Sequence, residues 1–315
     1  MVTSSVQQGR VISVTGANGF IGRHLCDALR ERGYAVRRLV RRGDGGDGAF
    51  VGSLESLTGW ERALSGSEAL IHLAARVHVA GGRSEADWTA FHRANVLATE
   101  MLARRCADDG VKRMLFISTI GVHGRSSREQ SISEASAVCP QSEYAGSKWR
   151  AEVALRKVSL ETGLDVVVLR PPLVYGPDAP GNIATLVSAI GKGVPLPVGS
   201  IKNQRSLLFV GNLVEGILAC LETPGAAGES FVIADNDVVS TPELVRWLSL
   251  ALGRKPRMFA CPPAILRIAA EGAGMSTRFE QVAGSLVVCP RKLMSATGWR
   301  PRVSTREGIM QSYGR

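Results

Sequence analysis

The chain has 315 residues, 45% of them apolar, which is enough for one large or two modest domains with a real core. No apolar run reaches the roughly 18 residues of a membrane span, the first ten residues lack the basic-then-apolar plan of a secretion signal, and six singly spread cysteines and five histidines show no disulfide or metal-ligand spacing. The net charge of +10 is scattered, without a basic tail or an aromatic-interleaved basic stripe, which argues against nucleic acid and for small polyanionic ligands in a cytoplasmic protein with no metal and no membrane partner.

The first element is read from "RVISVTGANGFIG". Val11, Ile12 and Val14 form a β-branched run that stops at Gly16, and Ile21, Leu25 and Leu29 then recur at helical spacing. This is strand, tight turn and helix, with glycines at 16, 19 and 22. One glycine permits the turn, one lets backbone approach a phosphate, and one lets helix pack on strand. The helix N-terminus then offers N–H groups and a positive dipole end to a pyrophosphate. The second strand, "YAVRRLVRR", ends in Val40-Arg41-Arg42 and carries no carboxylate there.

"ALIHLAARVH" reads as a buried strand running into a loop, and "ADWTAFHRANVLATEMLARRC" as one long helix. "MLFIS" is a central strand ending in the hydroxyl pair Ser118 and Thr119. From about Ser142 a helix begins that carries Tyr144 and Lys148, at i and i+4 and so on one side. Free tyrosine titrates near 10 and is a poor base. A neighbouring ammonium stabilises the phenolate, which would make Tyr144 a usable acid or base. "LDVVVLRPPLVYGPDAPGN" is a strand stopped by Pro171 and Pro172. "SLLFVGNL" and "SFVIAD" read as further strands, and "TPELVRWLSLALGR" as an amphipathic helix. The most apolar late stretch, "FACPPAILRIAA", is broken by Pro262, Pro263 and Arg267.

Taken together, "TGANGFIG", "HLAA", the Ser/Thr strand end before Val122-His123-Gly124, "YAGSK" and "RPPLVYGP" resemble the extended branch of the short-chain dehydrogenase/reductase superfamily, over about residues 11–310. The resemblance implies an α/β fold: a Rossmann-type doubly wound parallel sheet with a smaller α/β C-terminal substrate lobe. Residues 10–171 would form the dinucleotide-binding domain, with 203–224 and about 229–236 returning to it, and 172–202 and 237–315 the substrate-binding lobe.

The same resemblance assigns site roles. NAD(P) would lie on Gly16, Gly19, Phe20, Ile21 and Gly22, on Leu73, Ala74 and Ala75, and on Pro171, Tyr144 and Lys148. Arg41, standing after a strand that lacks the family's ribose-binding acid, slightly favours NADP(H) over NAD(H) through the 2′-phosphate. Ser53 stands where members often have an adenine-binding Asp. His72 and Asn95 would be scaffold. Counting back from Gly124 places Thr119 at the catalytic hydroxyl with Ser118 assisting, beside Tyr144 and Lys148. Thr119 and Tyr144 would meet the sugar, Arg205 the diphosphate, and Asn182 the nucleotide side.

The implied activity is hydride transfer at carbon 4 of a UDP-sugar. The first reading is a UDP-4-keto-6-deoxy-N-acetylhexosamine 4-reductase of surface polysaccharide synthesis. The alternative is a UDP-glucose or UDP-N-acetylglucosamine 4-epimerase with tightly bound NAD. A dehydratase would need an Asp-Glu pair where Ile120 and Gly121 stand, and a non-catalytic NAD(P) sensor would have no use for Tyr144 and Lys148. A homodimer is implied, packed through helices near 87–107 and 142–160.

Overall fold

The computed structural model describes residues 9–41, 50–56, 60, 62–77, 85–127 and 130–314. Arg42, the last member of the basic strand end, lies outside the described residues. The strands are β1 (Val11–Thr15), β2 (Ala35–Val40), β3 (Phe50–Val51), β4 (Ala69–His72), β5 (Arg113–Ile117), β6 (Asp165–Arg170), β7 (Leu173–Tyr175), β8 (Arg205–Phe209), β9 (Ser230–Val232) and β10 (Val238–Val239). The helices are α1 (Phe20–Glu31), α2 (Glu85–Phe91), α3 (Ala98–Asp108), α4 (Glu143–Thr162), α5 (Asn182–Gly191), α6 (Val210–Glu222), α7 (Thr241–Ala251), α8 (Pro263–Gly272), α9 (Ser276–Ala283), α10 (Arg291–Thr297) and α11 (Thr305–Tyr313).

Seven strands form a parallel sheet in the order β3-β2-β1-β4-β5-β6-β9. Strands such as "VISVT" and "DVVVLR" are buried on both faces, as a sheet covered on both sides requires. Buried residues of α1 and α6 (Leu25, Leu29, Leu213, Ile217) pack with Ile12, Val14 and Leu169 in one cluster. Those of α3 and α4 (Leu102, Cys106, Leu155, Val158) pack with Leu70, Met114 and Val166 in another. The winding direction reverses between β1 and β4, and the C-terminal ends of strands flanking such a reversal bound a ligand crevice.

The second sheet has three strands, β10-β8-β7. Pro171 and Pro172 explain its origin: with no N–H to donate, they end the β6 ladder, and the chain leaves to pair β7 with β8. The segment 203–224, expected on the dinucleotide side, is therefore divided. Arg205–Phe209 belongs to the small sheet, "VGNL" is helix rather than strand, and α6 packs on the large sheet together with Leu208 of β8. The chain thus passes between the sheets and their layers five times, at β6 to β7, β8 to α6, β9 to β10, α9 to α10 and α10 to α11.

The expected long helix is interrupted. Between α2 and α3, His92–Leu97 widens into a π-helical turn, a form often found at functional sites. Asn95 lies in this turn and is buried. α4 starts where the sequence places it: Ser142 is the N-cap, its hydroxyl accepting from the Ala145 N–H at 3.2 Å. It ends at Gly163, whose φ of +76° suits glycine.

Candidate active site

The glycine turn fits a dinucleotide by geometry that can be tested position by position. Gly16 has φ +67°, and a Cβ there would sit 3.0 Å from the Ala74 backbone N. At Gly22 a Cβ would collide with the Gly16 carbonyl oxygen, so no side chain fits while α1 packs on the turn. Gly19 caps α1 without a side-chain hydrogen bond, and the first turn contains no acidic residue, which leaves its N–H groups for an anionic ligand. Phe20 and Ile21 follow, both partly exposed. The Gly16 N–H donates to the Leu39 carbonyl at 3.1 Å, so the end of β2 borders the turn. Arg41 is exposed just beyond it.

Across the crevice, Leu73, Ala74 and Ala75 leave β4 with partial exposure. A hydrogen-bond chain holds them. The Ala74 N–H donates to Thr15 Oγ1 at 3.2 Å, and Thr15 Oγ1 lies 2.6 Å from His72 Nδ1. On the other side His72 Nε2 is 3.1 Å from Thr99 Oγ1, which donates to the Asn95 carbonyl at 2.8 Å. Since Thr99 gives its proton to Asn95, Nε2 must carry the imidazole hydrogen and Nδ1 accept from Thr15. Burial, and then the charge of Lys148, pull the His72 pKa down to about 3, so the ring is neutral. Asn95 Oδ1 accepts from the Arg76 N–H at 2.7 Å, and its Nδ2 donates to the Arg76 carbonyl and to Ser147 Oγ. Both residues act as scaffold, tying the β4 loop to α3 and α4.

β5 delivers Ser118 and Thr119. Thr119 is half-buried and extended, and its Oγ1 accepts from the Gly121 N–H at 3.1 Å, leaving its own proton for a ligand oxygen. A Cβ at Gly121 would lie 3.4 Å from both Thr119 Oγ1 and Ala145 Cβ, so this turn rests on α4 beside Tyr144. Pro171, buried, accepts from the Ile120 N–H at 2.8 Å and holds the turn from β6. Lys148, only 2% exposed, donates from Nζ to the Ile117 carbonyl at 2.7 Å and stands 4.3 Å above the Phe116 ring.

The electrostatics differ from the sequence expectation. Burial lowers the Lys148 pKa to about 7, with Glu152 opposing, and burial raises the Tyr144 phenol to about 12. The protein's own groups therefore keep Tyr144 protonated at neutral pH rather than lowering its pKa.

Ser118, expected as an assisting hydroxyl, faces away from solvent behind Thr119. It is buried and donates to the Glu152 carboxylate. Glu152 is in turn gripped by Arg170, whose Nη2 reaches Oε2 at 2.5 Å and whose Nε lies 3.2 Å from both oxygens. Arg170 Nη1 lies 3.0 Å from His123 Nε2. Burial and the Arg170 charge hold the His123 pKa below its ordinary value, so Nε2 accepts while Nδ1–H faces the Ala137 carbonyl at 3.2 Å. Sequence reasoning misses Glu152, Arg170 and His123 as a unit. One signal is available: Tyr144, Lys148 and Glu152 repeat at four-residue spacing along α4.

Of the predicted substrate contacts, Arg205 and Asn182 lie on the small sheet's side, on β8 and α5. Arg205 is half-buried and donates to the Gly284 carbonyl at 2.9 Å; burial holds its guanidinium below the ordinary value, and no carboxylate of the described residues pairs with it. The strand-like run 284–288 beside it also meets Ser127 and Ile132, which follow the Thr119 turn. Arg205 is thereby linked to the Thr119 side. Asn182 is exposed at the start of α5 and donates to Gln281 at 3.1 Å, so it joins α5 to α9. No His, Cys, Asp or Glu cluster among the described residues could hold a metal.

Comparison with known proteins adds to this geometry. The NAD dependent epimerase/dehydratase family matches residues 12–234. A UDP-glucose 4-epimerase of Vibrio cholerae is 32% identical over 99% of this chain and 97% of its own. The Thermotoga maritima UDP-glucose 4-epimerase, solved with UDP-glucose, superposes with a TM-score of 0.78 at 25% identity, covering 96% of this chain and 97% of that one. The Thermus thermophilus UDP-glucose 4-epimerase, solved with NAD, does so with a TM-score of 0.76 at 27% identity over 96% and 97%.

Proposed function

The chain belongs to the NAD dependent epimerase/dehydratase family, and from that premise we propose that it binds a nicotinamide dinucleotide and exchanges a hydride at carbon 4 of a UDP-sugar. The observation that carries this reading is the meeting of the Thr119 turn with α4, which bears Tyr144 and Lys148. A dinucleotide held at Gly16–Gly22 and Leu73–Ala75 would supply or accept the hydride through its nicotinamide. Thr119 donates to the reacting sugar oxygen and orients it. Tyr144 holds the proton that this oxygen gains or loses. Lys148 fixes the strand end through the Ile117 carbonyl. Arg205 meets the diphosphate and Asn182 the nucleotide side.

Two directions share these residues. Reduction of a UDP-4-keto-6-deoxy-N-acetylhexosamine, as in surface polysaccharide synthesis, is favoured by Arg41 following a strand end without a carboxylate, which suits an exchangeable NADP(H). Epimerisation at carbon 4 of a UDP-hexose or its N-acetyl form, with NAD retained, is favoured by the likeness to the Vibrio cholerae enzyme over nearly the whole chain. The two separate on one measurement. Protein denatured after purification, with its supernatant analysed by mass spectrometry, should release no stoichiometric dinucleotide if it is the reductase, and should then oxidise NAD(P)H only when a UDP-4-keto sugar is added. Stoichiometric NAD in the supernatant, with sugar interconversion needing no added cofactor, assigns the epimerase. Failure of both assays overturns the carbon-4 chemistry altogether.

The chain is further proposed to pair with a second copy through α3 and α4. Leu97, just before α3, and Leu160 of α4 are exposed, and a cleft of about 520 Å³ runs along α3 beside Trp60, Leu97 and Met101. Light scattering should give twice the 33.5 kDa chain mass, falling to one chain in a Leu97→Glu, Leu160→Glu variant; a single-chain mass in the unaltered protein rejects the pairing.

A further inference from the structure

α8, "PAILRIAAEG", is the apolar stretch that the hydride-transfer reading leaves without a task. A helix this apolar is ordinarily buried, yet none of its ten residues is. Its faces divide cleanly. Leu266 and Ala270, four apart, are its partly covered side, with Leu266 packed on the small lobe's core. Ile265 and Ile268 point away and are 57% and 69% exposed, and Ala269 and Gly272 complete the same outward stripe. Phe259, just before the helix, and Met275, just after it, are also exposed.

The surroundings are basic. Arg254, Lys255 and Arg257 precede the helix and are exposed, and Arg257 reaches the Gly193 carbonyl at 3.3 Å, which brings exposed Lys192 and Val194 alongside. Arg267 flanks the stripe. Between residues 254 and 282 the sequence has only two acids, Glu271 and Glu280, and Glu280 is paired with Arg125 at 3.1 Å. An outward apolar stripe rimmed by cations is the pattern of a helix lying in a membrane interface. A second copy of the chain is a poorer occupant, since it would set two such basic rims against each other.

The geometry points to α8 and its basic rim as a peripheral docking face for an anionic phospholipid surface. Ile265 and Ile268 enter the headgroup boundary, and Lys192, Arg254, Lys255 and Arg257 meet lipid phosphates. α9, the next helix, holds Glu280 and Gln281 against Arg125 and Asn182, so docking would set the substrate lobe beside the membrane. No helix among the described residues is long and apolar enough to cross a bilayer, so the contact is with its surface.

Co-sedimentation of the full chain with vesicles tests this. The chain should pellet with phosphatidylcholine vesicles containing phosphatidylglycerol, not with phosphatidylcholine alone, and less so as salt rises. Ile265→Glu with Ile268→Glu should lower vesicle affinity about tenfold or more while leaving the unfolding midpoint and cofactor binding unchanged. Replacing Arg254, Lys255 and Arg257 by Ser should lower it by about fivefold per charge. Absence of binding to anionic vesicles by the unaltered chain overturns the proposal, as does undiminished binding by the Glu variant. A Glu variant that instead breaks up a larger assembly would assign the face to a second copy and equally overturn it.

Discussion

Tyr144→Phe should lower turnover by about 10²- to 10⁴-fold, the range expected when a positioned proton donor is removed, while dinucleotide affinity stays within about a factor of two. The phenol is one oxygen larger than the Phe ring and α4 is otherwise unchanged, so the unfolding midpoint should hold as well. The split follows from placement. The glycine turn and the Leu73–Ala75 loop are fastened by Leu39, Thr15, His72 and Asn95, none of which relies on the Tyr144 hydroxyl. Isothermal titration with NAD(H) and NADP(H), alongside turnover on a UDP-sugar, checks both halves. Turnover in the variant within tenfold of the parent would remove Tyr144 from the chemistry.

The largest stability effect is expected at Glu152. Its carboxylate and the Arg170 guanidinium are each 4% exposed at the side chain, and the Ser118 hydroxyl completes the site. Glu152→Ala leaves a buried guanidinium with only His123 Nε2 as a remaining partner of this cluster. Breaking a buried pair from one side costs about 3–5 kcal/mol, measurable as a lowered denaturant midpoint with an unchanged slope. Glu152→Gln keeps shape and one acceptor and should recover part of that loss. Because Ser118 adjoins Thr119, turnover should fall in both variants more than dinucleotide affinity does. A Glu152→Ala midpoint equal to that of the parent would mean the pair contributes nothing to the fold.

The parts legible in the sequence are those whose causes are local. A β-branched run, three glycines and a helical repeat specify β1, the turn and α1 within twenty residues, and Ser142 announces α4 one residue before it begins. The two prolines after Arg170 likewise fix where β6 stops. The remainder depends on pairing across long separations. Nothing near Arg205 says that its strand will choose β7 and β10 over the large sheet. Ser118 looks like half of a hydroxyl pair until β5, β6 and α4 bring Glu152 and Arg170 together behind it. The direction of the Tyr144 pKa shift is illegible for the same reason: the lysine spacing is visible along the chain, but the burial that outweighs it is a property of the packed site.

The repeated passage of the chain between the two sheets limits how such a protein could change its substrate. A lobe that is one continuous stretch can be exchanged between genes by a single recombination. Here the smaller lobe is assembled from pieces separated by α6, β9 and α10, which are packed into the other layer. A crossover point between β7 and α10 would split both cores at once. Under the proposed function, new sugar specificity on this scaffold would therefore have to arrive through individual substitutions around Arg205 and Asn182, with the dinucleotide half inherited intact.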